Sequence, residues 1–158
     1  MKSALIVMCV MVMAALQTSA VLASEVKEYR AEAAQYYEKN NYKKAYKIYF
    51  KLAKVGDHYS QNKISQMYVD GKGKDIDLAE AYAWSVLAAE SGVEGIAIKS
   101  EKLLQQTEDK AAAEKRAGKL MNKYGKDALQ AKADKRERMK YNHKSGGCTG
   151  SKLGCSSG

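Results

Sequence analysis

YKKAYKIYFKLAKVG, Tyr42 to Gly56, returns thirty-six residues later as LAEAYAWSVLAAESG, Leu78 to Gly92. At that offset Ala45 falls on Ala81, Tyr46 on Tyr82, Ala53 on Ala89 and Gly56 on Gly92, while Ile48 falls on Trp84. An internal repeat of this length is the signature of stacked helical units. Alanines at matching places suit the close approach of neighbouring helices, and the closing glycines suit a left-handed helix C-cap. The segments ahead also match: AQYYEKN (Ala34 to Asn40) lies over SQMYVDG (Ser65 to Gly71) at an offset of 31. Each unit therefore reads as a helical hairpin, with an A helix ending near Tyr37 or Tyr68, a turn, and a B helix ending at glycine. The first turn is the tight Asn40-Asn41; the second is the longer DGKGKDID, which accounts for the five residues between the two offsets.

Composition agrees with an all-α chain. The sequence holds no proline in 158 residues, where ordinary usage of about 5% would give roughly eight. Ala, Lys, Glu, Leu and Gln, all good helix formers, dominate from residue 25 to residue 140. No stretch alternates with period two for long enough to make a strand.

Residues 59–92 resemble the Sel1-like repeat, a relative of the tetratricopeptide repeat. The residues that carry the resemblance are Ile64, Ser65, Met67 and Tyr68, then Gly71, Gly73 and Asp75, then Ala81, Trp84, Ala88, Ala89 and Gly92. Ser65 stands where the family favours glycine, and Lys74 where it favours an apolar residue. Residues 28–56 look like a shorter unit of the same kind. VEGIAIKSEKLLQQ looks like the A helix of a third, degenerate unit, with Leu103 and Leu104 in the places of Met67 and Tyr68. The resemblance implies a short α-solenoid of Sel1/TPR-like hairpins with a capping helix. In such a solenoid the A-helix side chains form the binding groove. By this alignment Gln35, Gln66 and Lys102 make one rung and Ala31, Asn62 and Ile98 another, flanked by Tyr59 and Val69. Tyr37, Tyr46, Tyr68, Tyr82 and Trp84 read as core or inter-repeat packing rather than as stacking platforms for sugars.

The loop MYVDGKGKD, Met67 to Asp75, invites a ligand reading that its spacing refuses. A phosphate loop needs G-x-x-x-x-G-K-[ST] after a strand. A calcium loop counted from Asp70 would put Lys72 and Ala81 at positions that require oxygen ligands. Gly71 and Gly73 read instead as positive-φ turn residues, and Asp75 or Asp77 as the cap of the next helix.

At the N-terminus, Lys2 precedes the thirteen-residue apolar run ALIVMCVMVMAAL, and Val21 and Ala23 suit cleavage before Ser24. This is the pattern of a secretory signal over 1–23; an uncleaved anchor is the competing reading, although the run is short of the roughly 20 residues of a membrane span. Cleavage would leave no transmembrane segment. The expected compartment is the periplasm or envelope of a Gram-negative-type bacterium. The remaining 135 residues carry a net charge of +8. For an exported chain, acidic proteins, anionic polysaccharide or lipid head groups are more natural counter-surfaces than nucleic acid.

Residues 24–125 read as the repeat domain, closed by a helix from Thr107 to Gly125 with Thr107 as its N-cap. Residues 126–158 read as a basic helix drifting into a disordered tail. Within it, 126–144 carry seven basic and three acidic side chains, among them Lys132, Lys135, Arg136, Arg138 and Lys140. The glycine- and serine-rich end holds Cys148 and Cys155, which in an oxidising compartment most simply form one disulfide. His143 with the two cysteines could supply three metal ligands, but a fourth is missing; no metal or cofactor is expected.

Some cysteine-rich members of the Sel1-like family have been described as penicillin-binding, which makes a β-lactam or peptidoglycan hydrolase worth weighing. S-x-x-K occurs at Ser24 to Lys27 and at Ser60 to Lys63, about as often as chance allows, and the sheet that gives such motifs meaning is not indicated. His58 reads as an exposed residue in the turn between units. The expectation is a non-enzymatic scaffold for another envelope protein, with binding of anionic envelope polymer through the basic tail as the alternative.

Overall fold

A computed structural model describes residues 24–145. The signal reading over 1–23 and the pair Cys148 and Cys155 lie outside them. Helix α1 covers 24–38. It is followed by α2 (Tyr42–Ala53), α3 (His58–Asp70), α4 (Leu78–Ala89), α5 (Glu94–Gln106), α6 (Lys110–Tyr124) and α7 (Lys126–Ser145). No strand occurs among the described residues, and no helix among them is long and apolar enough to cross a membrane.

The helix boundaries repeat the offset of the sequence. α2 and α4 are both 12 residues long and begin 36 residues apart. α3 and α5 are both 13 residues long, again 36 apart. Their caps correspond too. The Asn41 side chain accepts from Lys44 N–H at 3.4 Å, and Asp77 accepts from Glu80 N–H at 3.0 Å. Each satisfies an amide that the first helical turn leaves without a partner. Gly56 and Gly92, just beyond α2 and α4, hold φ of +91° and +77°.

α4 organises the packing. Its sequence LAEAYAWSVLAA is apolar or small nearly all round, and a helix of that kind is stable only when surrounded. α3, α5 and α6 all pack closely on it, α2 packs on α3, and α5 and α6 barely touch. Ala81, Ala83, Trp84, Leu87 and Ala88 are buried at its surface. The alanines let neighbouring backbones approach, and Trp84 fills the space where the helices diverge. Its ring meets Phe50 edge-on at 5.6 Å between centroids and stacks on Tyr124 at 5.9 Å. Ala33, Ala45, Tyr46, Tyr49, Ala53, Ile64 and Met67 complete the same core.

Two expectations are corrected here. Thr107 does not cap α6: it ends α5, where its hydroxyl donates to the Leu103 carbonyl at 2.8 Å. The cap is Asp109, whose carboxylate accepts from Ala112 N–H at 2.9 Å. α6 then lies along α4, so the third pair of helices does not copy the side-by-side packing of α3 and α4. The basic segment, expected to drift out of helix, is helical through Ser145. No glycine or proline interrupts 126–144, and its alanines, lysines and arginines are good helix formers. Its base is anchored. Leu129 packs over Gly56, Lys126 N–H donates to Glu90 Oε2 at 3.0 Å, and everything from Gln130 to Tyr141 is exposed.

The glycine loop is a joint held by close backbone contact. Gly71 and Gly73 have φ of +66° and +83°. A Cβ on Gly73 would stand 2.6 Å from the Tyr42 carbonyl oxygen, whereas one on Gly92 would meet nothing within 4 Å. Gly92→Ala is expected to cost about 1 kcal/mol, the strain of a left-handed alanine. Gly73→Ala should cost about 3 kcal/mol, because the loop backbone must also move off α2. Thermal melts followed by circular dichroism check this: equal losses at the two positions would refute the close-contact account.

Candidate interaction surfaces

Residues predicted to line a groove lie on α1, α3 and α5. Ala31 and Gln35 are exposed on α1; Asn62, Gln66 and Val69 are half-buried on α3; Lys102 is exposed on α5. Tyr59 and Ile98 are large apolar groups left 45% and 50% open. Among the described residues no hydrogen bond or ion pair joins Gln35, Gln66 and Lys102. The helices are tied instead by the cations Arg30, Lys63 and Lys99, which the sequence reading did not place in the groove. Arg30 donates from Nε and Nη2 to both carboxylate oxygens of Asp57, the former at 3.0 Å, and its guanidinium stands 5.2 Å over the Tyr59 ring. Lys63 Nζ lies 5.9 Å from the Tyr37 ring centre and 5.7 Å from that of Tyr59. Lys99 Nζ donates to Asn62 Oδ1 at 3.4 Å, joining α5 to α3.

Asp57 has a second duty as N-cap of α3, accepting Ser60 N–H at 3.0 Å. Burial opposes its ionisation, but Arg30 and Ser60 together outweigh burial and hold its carboxyl below the usual range. His58, expected in a turn between units, is the first residue of α3. Its Nδ1 lies 3.0 Å from Gln61 Oε1, and buried Gln61 donates in turn to the Ala53 carbonyl at 3.1 Å. Asp57 ends the preceding turn by capping, so helix begins one residue earlier than a turn reading places it. Ser60, the serine of one S-x-x-K match, is fully buried, and its Oγ has no hydrogen-bond partner among the described residues by distance and angle.

A cleft of about 580 Å³ opens between α2, α3, α4, α6 and the glycine loop. Tyr46, Tyr68, Glu80, Trp84 and Tyr124 form its walls, with Lys74 and Lys123 at its rim. The Tyr46 and Tyr68 hydroxyls are 2.9 Å apart. Burial pushes both phenols above their ordinary range; their contact pushes Tyr46 further up and opposes the rise of Tyr68. Burial also raises the Glu80 carboxyl, helped by the Asp77 charge and opposed by Arg116. Asp77 is held low: burial is overcome by the N–H of Glu80 and by Arg116. Two carboxyls displaced in opposite directions can mark an acid–base pair. Here both Asp77 oxygens are committed, Oδ1 to the Glu80 N–H and Oδ2 to Arg116 Nη1 at 2.7 Å. The arrangement caps α4 and clamps α6 to its start. The Trp84 side chain, 1% exposed, offers no open ring face to a ligand.

The basic residues Lys132, Lys135, Arg136, Arg138 and Lys140 are all exposed on α7. Lys132 folds back, its ammonium donating to the Lys123 carbonyl at the end of α6, where a cation is favoured.

No protein-family model, no curated protein and no solved structure matches this chain.

Because the folded-state Asp57 carboxyl titrates below its unfolded value of about 3.9, its contribution is complete above that value. The contribution fades as the pH falls through the folded value. Asp57→Asn, which retains a capping oxygen, should lower stability by about 1 kcal/mol at neutral pH. It should also flatten the acid limb of the stability curve below about pH 4. Urea titrations at pH 7 and pH 3 measure both effects; a loss that is the same at the two values would exclude the charge.

Proposed function

We propose that this protein is a non-enzymatic interaction module of Sel1/TPR-like helical hairpins that holds another protein in the bacterial envelope. The observation that carries the reading is the double coincidence at an offset of 36: α2 with α4 and α3 with α5 share length, boundaries and, for α2 and α4, cap chemistry. A chain that repeats a helix pair places the A helices α1, α3 and α5 with corresponding faces outward, and successive A helices are what helical solenoids offer to partners. That face carries polar amides, tyrosines and cations, a surface for an extended polar segment rather than for an apolar helix. The export signal read at residues 1–23 supports the periplasm as the place of action.

A second reading rests on α7. It projects a helix with exposed lysines and arginines on every side, a form suited to an anionic envelope polymer or lipid head groups. Such binding would weaken steeply with salt.

A photo-crosslinking amino acid placed at Gln66, at Lys123 or at Arg136 in the producing cell separates these readings. The interaction module predicts a discrete protein adduct from Gln66 and none from Lys123. Adducts from Arg136 alone, heterogeneous in mass and lost in high salt, would move the function to α7.

A further inference from the structure

Five aromatic side chains, Tyr46, Phe50, Tyr68, Trp84 and Tyr124, come together around the cleft of about 580 Å³. A cavity of about 300–1,000 Å³ takes a whole small molecule. Ring faces attract cations, and several rings around one space form a cage for them. The chain already uses its rings in this way. Lys74 Nζ lies 5.2 Å from the centre of the Tyr46 ring, and Lys123 Nζ and Lys132 Nζ lie 5.1 and 5.9 Å from that of Tyr124. Tyr124 is well engaged, since Trp84 stacks on it too. Tyr46 stacks on Phe50, and the cation it holds is Lys74, an exposed side chain of the glycine loop that a guest displaces at little cost. The cleft also contains a poorly neutralised carboxylate. Arg116 serves two carboxylates, Asp77 at 2.7 Å and Glu80 at 3.8 Å, so Glu80 has the weaker share. Burial of the Glu80 carboxyl, which raises its pKa, makes its charge costly until a cation joins it.

We propose that the cleft binds a small, free organic cation of the quaternary-ammonium class. Its charged group takes the place of the Lys74 ammonium on the Tyr46 ring, and Glu80 serves as counter-ion. The site is independent of the reading of the molecule as an interaction module. The surroundings select this class of ligand. A primary ammonium is strongly hydrated and brings three donors, more than one shared carboxylate satisfies. Methyl groups bring none and pack against rings. An anion would meet Asp75 and Glu80 in the same cleft. The Tyr46 and Tyr68 hydroxyls share one hydrogen bond at 2.9 Å, which leaves the pair one proton and spare lone pairs for a hydroxyl on the ligand.

Trp84 is the sole tryptophan of the chain and lines the cleft, so its fluorescence reports on the site. The test is a titration of the purified protein with choline at constant ionic strength. The choline methyl signal is followed by NMR alongside, so that a silent indole is not read as an empty cleft. Choline should bind, and its neutral isostere 3,3-dimethylbutan-1-ol should bind about tenfold more weakly or worse. Lys74→Ala should tighten choline binding about threefold or more, because it removes the competing occupant. Glu80→Gln should weaken it about tenfold through the lost counter-charge. Lys72→Ala, a lysine of the same loop that rests near Tyr37 and Tyr42, should leave it within about twofold, the size of a general change in surface charge. Circular dichroism establishes that the variants fold; were Glu80→Gln to unfold, the Lys74→Ala arm decides. The proposal is overturned if choline moves neither signal, if the neutral isostere binds as well, or if Lys74→Ala binds choline no more tightly than the parent. A folded Glu80→Gln variant with parental affinity overturns it too. So does tighter binding of Nα-acetyl-lysine amide, which would make the guest a protein side chain, or of phosphatidylcholine vesicles, which would make it a lipid head group.

Discussion

Trp84 stands where α2, α4 and α6 meet, edge-on to Phe50 and stacked on Tyr124. Tyr46 stacks on Phe50 at 5.5 Å and turns its edge to Tyr68 at 5.9 Å. One connected set of rings therefore runs from α6 through α4 to α2 and α3. The arrangement is possible because the rest of α4 is small. Ala81, Ala83 and Ala88 let α3, α5 and α6 crowd around it, and the indole fills what alanines leave open. Burying rings of this size contributes a few kcal/mol each, in a domain with few large aliphatic side chains. The helix positions on both faces of the molecule depend on that junction.

Polar residues set the joints around this core. Asn41, Asp57, Asp77 and Asp109 each cap a helix, and two of the four do more. Asp57 receives Arg30 from α1 and Asp77 receives Arg116 from α6. A residue that must be acidic or amide to start its own helix thereby also anchors a distant one. The glycine loop obeys a different constraint. Gly73 lies so close to the Tyr42 carbonyl that any side chain would displace backbone, which explains two lysine-flanked glycines without any phosphate or cation.

The two faces differ in how their charges are used. Around the aromatic cleft, Asp77, Glu80 and Arg116 neutralise one another and hold α4 to α6. Along α3, Lys63 rests over the Tyr37 and Tyr59 rings and Lys99 of α5 donates to Asn62. α7 adds a third, separate surface whose charges touch little except the end of α6.

By itself the sequence determined the helical class, the unit length of 36 and the loop as a turn, because these are local matters. A cap is satisfied three residues away, a positive φ needs only its own glycine, and a helix needs only the absence of breakers. The same local rules, weighed between neighbours, misplaced the start of α6, where Thr107 and Asp109 compete and the carboxylate wins. Tertiary structure alone decided which faces meet. Arg30 finds Asp57 across 27 residues, Lys99 finds Asn62 across 37 and Arg116 finds Asp77 across 39. Such pairs leave no periodic mark in a chain rich in lysine. The placement of α6 along α4 was equally hidden, since it depends on how Trp84 and Tyr124 pack once α4 is surrounded, a property of volumes in three dimensions and not of spacing along the chain.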